Sequence, residues 1–116
     1  MNIYRKLDGK EETLLPIVID ILKRHTCRDK AISNEEIRDI TTQMGYEDIG
    51  QIRMRMIINH IRKNNLLQCV IGCNYGYYIS TDEEEIKKYI EDLKDRELAI
   101  SSTRETIENQ LIMLLN

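Results

Sequence analysis

The chain has 116 residues, of which 41% are hydrophobic and 32% charged, with a net charge of -3. That length supports one small core plus an appendage. The composition excludes an unfolded polyelectrolyte, and no apolar run approaches the roughly 20 residues needed to span a bilayer. The N-terminal residues MNIYRKLDGKEE lack the apolar stretch of a secretory leader, so a cytosolic protein is expected.

Residues 1–12 read as a polar, loosely docked N-terminal arm. From residue 13 to 25, Leu14, Ile17, Val18, Ile21 and Leu22 fall on one helical stripe, predicting a first helix. Pro16 is then expected in its first turn, with Lys23, Arg24 and His25 in its last. Ser33 and Glu36 have the spacing of a capping box, flanked by Ile32 and Ile37 as a hydrophobic staple. A second helix follows with Ile37, Ile40 and Met44 on its stripe, and Gly45 stands where a helix ends. The short link at 46–48 leads into a third helix over about 48–63, which is helix-turn-helix spacing.

After Asn64 and Asn65, the runs LLQCVIGC and YGYYIS flank a turn at Cys73, Asn74, Tyr75 and Gly76, predicting a two-stranded hairpin. Such a ribbon is marginal alone and must lie against the helices. The order helix, strand, turn, strand over 51–80 is that of a recognition helix and wing. The expected architecture is mainly α with a small β-hairpin: a winged helix-turn-helix domain over 13–80, then a C-terminal helix over 81–116.

That last helix is expected to be capped by Thr81 and to carry Glu83, Glu84 and Glu85 in its first turn, where the helix dipole favours acids. Ile86, Ile90, Leu93, Glu97, Ile100, Arg104, Ile107, Leu111 and Leu114 are spaced alternately by four and three residues, a heptad seam. A homodimer through this seam is expected. Its two charged core positions, Glu97 and Arg104, repel their own copies in a parallel pair. An antiparallel pair centred between Ile100 and Ser101 brings Glu97 of one chain level with Arg104 of the other. The weak helix formers Ser101, Ser102 and Thr103 leave a helical hairpin within one chain as the alternative.

Charge is unevenly divided: 12 Lys/Arg against 10 Asp/Glu through residue 80, and 5 against 10 beyond it. A strongly basic nucleic-acid-binding domain is therefore excluded, and any DNA contact must come from a local patch. His25, Cys27, Cys69 and Cys73 offer four zinc-type ligands, but their spacing does not match the paired knuckles of structural sites. An odd cysteine count does not suit a disulfide framework. No catalytic motif stands out, so no enzyme and no cofactor are expected.

On the third helix, Met54, Ile57, Ile58 and Ile61 form the expected core face. Gln51, Arg53, Arg55, Asn59, Arg62 and Lys63, with Tyr75 on the wing, are the side chains suited to phosphates or base edges. Ile49, Ile52 and Met56 form an apolar strip expected to pack under the N-terminal arm or to dock a protein.

Arg55, Ile57-Ile58-Asn59, Ile61-Arg62 and the closing Gly76-Tyr77-Tyr78-Ile79-Ser80, followed by Thr81-Asp82-Glu83-Glu84-Glu85-Ile86, resemble the winged helix modules of small phage and prophage proteins. The likeness covers about residues 30–100, and GYYI is its most distinctive part. It implies a DNA-binding fold serving transcription or replication control. Fold likeness alone does not fix function, and the alternative expectation is a protein-binding adaptor or inhibitor of a nucleic-acid enzyme.

Overall fold

The computed structural model describes residues 5–116, and the first four residues of the expected arm lie outside the described residues. The elements are α1 (Gly9–Leu22), a one-turn 3-10 helix (Arg28–Lys30), α2 (Asn34–Gln43), α3 (Gly50–Lys63), β1 (Val70–Cys73), β2 (Gly76–Ile79) and α4 (Glu83–Leu115). The architecture is mainly helical, with one two-stranded antiparallel hairpin and a long final helix. The chain divides into a head that ends at Thr81 and a second unit, Asp82–Asn116. Among the described residues, no helix is long and apolar enough to cross a membrane.

α1 begins four residues before the point that periodicity alone suggests, because Asp8 and Glu11 form a capping box. The Glu11 N–H donates to Asp8 Oδ1 at 3.0 Å, and the Asp8 N–H donates back to Glu11 Oε1 at 2.9 Å. Residues 8–12 are thus cap and first turn rather than a loose arm, and Leu7 packs on the core. Pro16 consequently stands in the helix interior, where it lacks an N–H for the Glu12 carbonyl. The helix closes at Leu22, so Lys23, Arg24 and His25 lie beyond its last turn.

Ser33 and Glu36 cap α2 reciprocally as their spacing predicts, and Ile32 and Ile37 are both buried. Gly45, at φ +99°, follows the helix, with its N–H donating to the Thr42 carbonyl and the Tyr46 N–H to the Thr41 carbonyl. This is a Schellman ending, in which glycine takes the left-handed position without steric cost. Met44 is exposed rather than part of the buried stripe. α3 ends the same way, with Asn65 at φ +57° and the Leu66 N–H donating to the Ile61 carbonyl.

The core joins Leu14, Val18, Ile21 and Leu22 of α1, Ile32 and Ile37 around the start of α2, and Met54, Ile57, Ile58 and Ile61 of α3. α3 packs against both earlier helices, with its axial row of apolar residues turned inward. Truncating one of these isoleucines to Ala costs about 2–5 kcal/mol in comparable cores.

The first strand is shorter than its apolar run, since Leu66 and Leu67 belong to the exit from α3 and Cys69 takes φ +56°. Val70 pairs with Ile79, Ile71 with Tyr78, Gly72 with Tyr77 and Cys73 with Gly76. The hairpin is not left to itself. On the other edge of β2, Ile32 and Tyr77 exchange backbone hydrogen bonds of 2.9 and 2.7 Å, and the Ile79 N–H donates to the His25 carbonyl at 2.8 Å. The segment between α1 and α2 therefore acts as a third rail that ties the ribbon to the helices. Gly76 sits at this junction with φ +125°, and a Cβ there would collide with the Ile32 carbonyl.

α4 is one continuous helix of 33 residues, about 50 Å long. Its cap is Asp82 rather than Thr81: Oδ1 of Asp82 accepts from the Glu84 N–H at 2.9 Å and the Glu85 N–H at 3.4 Å. The carboxylate adds charge to the same capping geometry. The intrachain hairpin is not formed.

Candidate nucleic-acid interface

α3 presents three distinct sectors, read at about 100° per residue. Met54, Ile57, Ile58 and Ile61 face the core. Gln51, Ile52, Arg55, Asn59, Arg62 and Lys63 share an arc of about 120° whose members are exposed or half-buried. Ile49, Arg53, Met56 and His60 occupy the remaining arc, which is covered to differing degrees.

This arrangement breaks up two groupings expected from the sequence. The apolar strip is not continuous on the surface: Met56 is 2% exposed, Ile49 packs half-buried on the core, and Ile52 alone stays out at 47%. Arg53 likewise leaves the polar face. Its Nε donates to Glu11 Oε2 and its Nη2 to Asp8 Oδ2, both at 2.7 Å. Arg5 closes the arrangement with bidentate hydrogen bonds of 2.9 Å to the same Glu11 carboxylate.

Glu11 is fully buried between these two arginines. Burial pushes its carboxyl upward, but the hydrogen bonds from Arg5, Arg53 and the Asp8 N–H prevail and hold it at about 2. A buried carboxylate is tolerated only when its lone pairs are filled in this way. Arg53 is therefore a positioning residue that locks the start of α1 onto α3, rather than a cation offered to a ligand.

A second set of polar contacts fixes the start of α3 against α2. Asn34 Nδ2 donates to the Gln51 carbonyl at 3.0 Å, Arg38 Nε donates to Asn34 Oδ1 at 2.9 Å, and Arg38 Nη1 reaches Asp48 Oδ2 at 3.3 Å. Asp48 Oδ1 in turn accepts from the Gly50 N–H at 2.9 Å, where α3 begins. Beside this chain of contacts lies a cleft of about 380 Å³ between the starts of α2 and α3 and the hairpin, with Asn34, Arg38, Gln51, Asn74 and Tyr77 among its walls. It extends the exposed arc of α3 toward the hairpin.

Tyr75, at 69% exposed, stands open at the hairpin tip. It borders a different depression, with Arg28, Asp29, Ala31 and Glu36. The hairpin residues that share the cleft with Gln51 include Asn74 and Tyr77. Of the residues suited to nucleic acid, then, Gln51, Arg55, Asn59, Arg62 and Lys63 come together, while Arg53 and Tyr75 stand apart. Asn34, Arg38 and Asn74 join the group, although polar residues near a cap or a turn carry no sequence signal of such a role.

Cys27 and Cys69 are exposed and Cys73 is half-buried, all as free thiols. Among the described residues, no group of three or more His, Cys, Asp or Glu side chains is placed to hold a metal ion. His25 serves the loop instead, its Nδ1 donating to the Lys30 carbonyl. On α4, the seam residues Ile90, Leu93, Ile100, Ile107, Leu111 and Leu114 are exposed and Ile86 is half-buried. Glu97 is exposed, and Arg104 donates to Glu108 of its own helix at 2.8 Å.

No family model, curated protein or solved structure matches this chain.

Proposed function

We propose that the head is a winged helix-turn-helix domain that binds duplex DNA, as a phage-type regulator of transcription or replication, with α3 in the major groove. The observation that carries this reading is the segregation on α3: Gln51, Arg55, Asn59, Arg62 and Lys63 share one arc at the surface, while its isoleucines and methionines other than Ile52 are buried or half-buried. Gln51, Arg55 and Asn59 are types that form paired hydrogen bonds with base edges. Arg62 and Lys63, at the C-terminal end of the helix, suit flanking phosphates. The cleft beside Gln51, walled in part by the hairpin residues Asn74 and Tyr77, supports a reading in which the hairpin acts as a wing against the same groove. With no continuous Ile49, Ile52, Met56 strip at the surface, the protein-adaptor reading keeps only the acidic C-terminal helix of its two proposed docking faces. In this reading α4 supplies the second copy, since its exposed apolar seam has no cover within its own unit.

The test is a comparison of two cations of α3 by fluorescence anisotropy on duplex DNA. Arg55→Ala is expected to weaken binding by about 1–3 kcal/mol. Lys63→Ala is expected to weaken binding uniformly across sequences and to lower the salt slope by about 1. Equal affinity of Arg55→Ala, Lys63→Ala and wild type on every duplex would remove α3 from the interface.

A further inference from the structure

The exposed seam of α4 calls for an occupant, and its charges say which one and in what direction. α4 is continuous over 33 residues, so it does not fold back to cover its own apolar face. Ile100, in the middle of the seam, is 70% exposed, and Ile107 and Leu111 remain more than half exposed.

The charges beside the seam change sign about its middle. Lys94 and Glu108 lie seven residues to either side of Ser101, and Glu97 and Arg104 are equidistant from a point half a residue away. Each pair is opposite in sign. Lys94, Ser101 and Glu108 are spaced by seven and so run along one edge of the helix, while Glu97 and Arg104 belong to the seam next to that edge. Ser101 and Ser102 place small side chains at the centre.

We infer, resting on the dimer reading just given and deepening it, that α4 pairs antiparallel with α4 of a second copy. The twofold axis lies at Ser101–Ser102, so the two heads are attached at opposite ends of the coiled coil. In an antiparallel pair, like edges run side by side, so the edge with Lys94, Ser101 and Glu108 meets its own copy. Ile90 then layers with Leu114 of the second copy and Leu93 with its Leu111, while the stem of Glu97 covers its Ile107. Lys94 and Glu97 of one chain meet Arg104 and Glu108 of the other in a quartet of two cations and two anions, repeated by symmetry. The Arg104–Glu108 half is already formed within one helix, at 2.8 Å. Exposed ion pairs add little strength individually, so these charges choose direction while the isoleucines and leucines supply affinity. A parallel, in-register pair stacks Glu97 on Glu97 and Arg104 on Arg104.

The direction has a functional consequence. The attachment points at Asp82 are about 60 Å apart along the coil axis, whereas adjacent half-sites on one face of a duplex are about 34 Å apart. The points that tether the two heads are thus farther apart than adjacent half-sites, a spacing suited to two separate duplex segments.

The test uses the full chain with Cys27, Cys69 and Cys73 replaced by Ser. Ser101→Cys in this background is expected to give mostly disulfide-linked dimer on mild oxidation, because the two copies of that edge position meet at the twofold axis. Asn109→Cys, on the outer face, is expected to stay unlinked. Glu97→Arg should raise the dimer dissociation constant about tenfold, and adding Arg104→Glu should restore it to within about threefold. A dimer by light scattering that neither cross-links through Ser101→Cys nor responds to Glu97→Arg overturns the antiparallel direction. A monomer at about 50 µM, well above the micromolar range of a modest interface, overturns the dimer reading itself. Because α4 lies outside the head's core, circular dichroism of each variant reports whether the fold is intact.

Discussion

Glu11 and Arg53 show how a single carboxylate can decide what α3 offers at its surface. From sequence, Arg53 and Arg55 are equivalent cations two positions apart. In the fold, one closes a buried ion cluster and the other stays exposed. Arg53→Ala leaves the Glu11 carboxylate with Arg5 and the Asp8 N–H and is expected to destabilise the head by about 2–3 kcal/mol in urea unfolding, without changing the salt slope of DNA binding. Arg55→Ala is expected to leave stability within about 0.5 kcal/mol. The same carboxylate sets an acid response. Its folded pKa, at about 2, lies below the unfolded value, so its stabilisation is complete above about pH 5 and is lost as pH falls toward 2. With allowance for solvent screening at the partly exposed Arg5, the loss is of order 2 kcal/mol. Glu11→Gln should flatten that part of the stability profile, and an unchanged profile would place the acid sensitivity elsewhere.

Gly76 is the other residue whose role is conformational. Its φ of +125°, and the Ile32 carbonyl standing where a Cβ would go, make alanine both strained and obstructed there. Gly76→Ala is expected to cost about 2–4 kcal/mol, measured as a lower urea midpoint at unchanged slope. A smaller effect than Gly9→Ala, where a Cβ meets nothing within 4 Å, would contradict the junction described for β2.

Among the elements, those legible in the sequence have a local cause. Ser33 and Glu36 announce α2 because a capping box is made by residues three apart. The hairpin is legible from its apolar runs and its turn, and the seam of α4 from its spacing. Boundaries set by tertiary contact are not legible in this way. The Asp8–Glu11 pair has the same spacing as Ser33–Glu36, but it is embedded in a charged run, and only the approach of Arg53 from α3 makes the burial of Glu11 tolerable. The outer face of α3 departs from expectation for the same reason: periodicity locates the core sector, but which of the remaining arcs is covered depends on where α1 begins. Asn34 couples two elements directly. Its amide joins α2 to the start of α3 through the Gln51 carbonyl, so Asn34→Ala should cost about 1 kcal/mol of stability and weaken DNA binding by tilting Gln51 from its place. Loss of stability with unaltered DNA affinity would confine Asn34 to a structural role.

For the molecule as a whole, the proposed reading makes a near-neutral head with an acidic helix a weak DNA binder as a monomer, and doubling would raise the effective concentration of the second head once the first is bound. If the heads stand at opposite ends of an antiparallel coil, the wild-type protein should bring two differently labelled duplexes together, seen as energy transfer between them. Glu97→Arg should lose most of that transfer at the same DNA occupancy. Both outcomes depend on α3 meeting DNA in the first place. That contact is measured by the affinity of the wild-type chain for a random duplex across a salt series. With Arg62 and Lys63 as the phosphate-reaching cations of each head, log affinity should fall with log salt at a slope of about -2 per head engaged. Absence of retention at low ionic strength, or retention indifferent to salt, would contradict it.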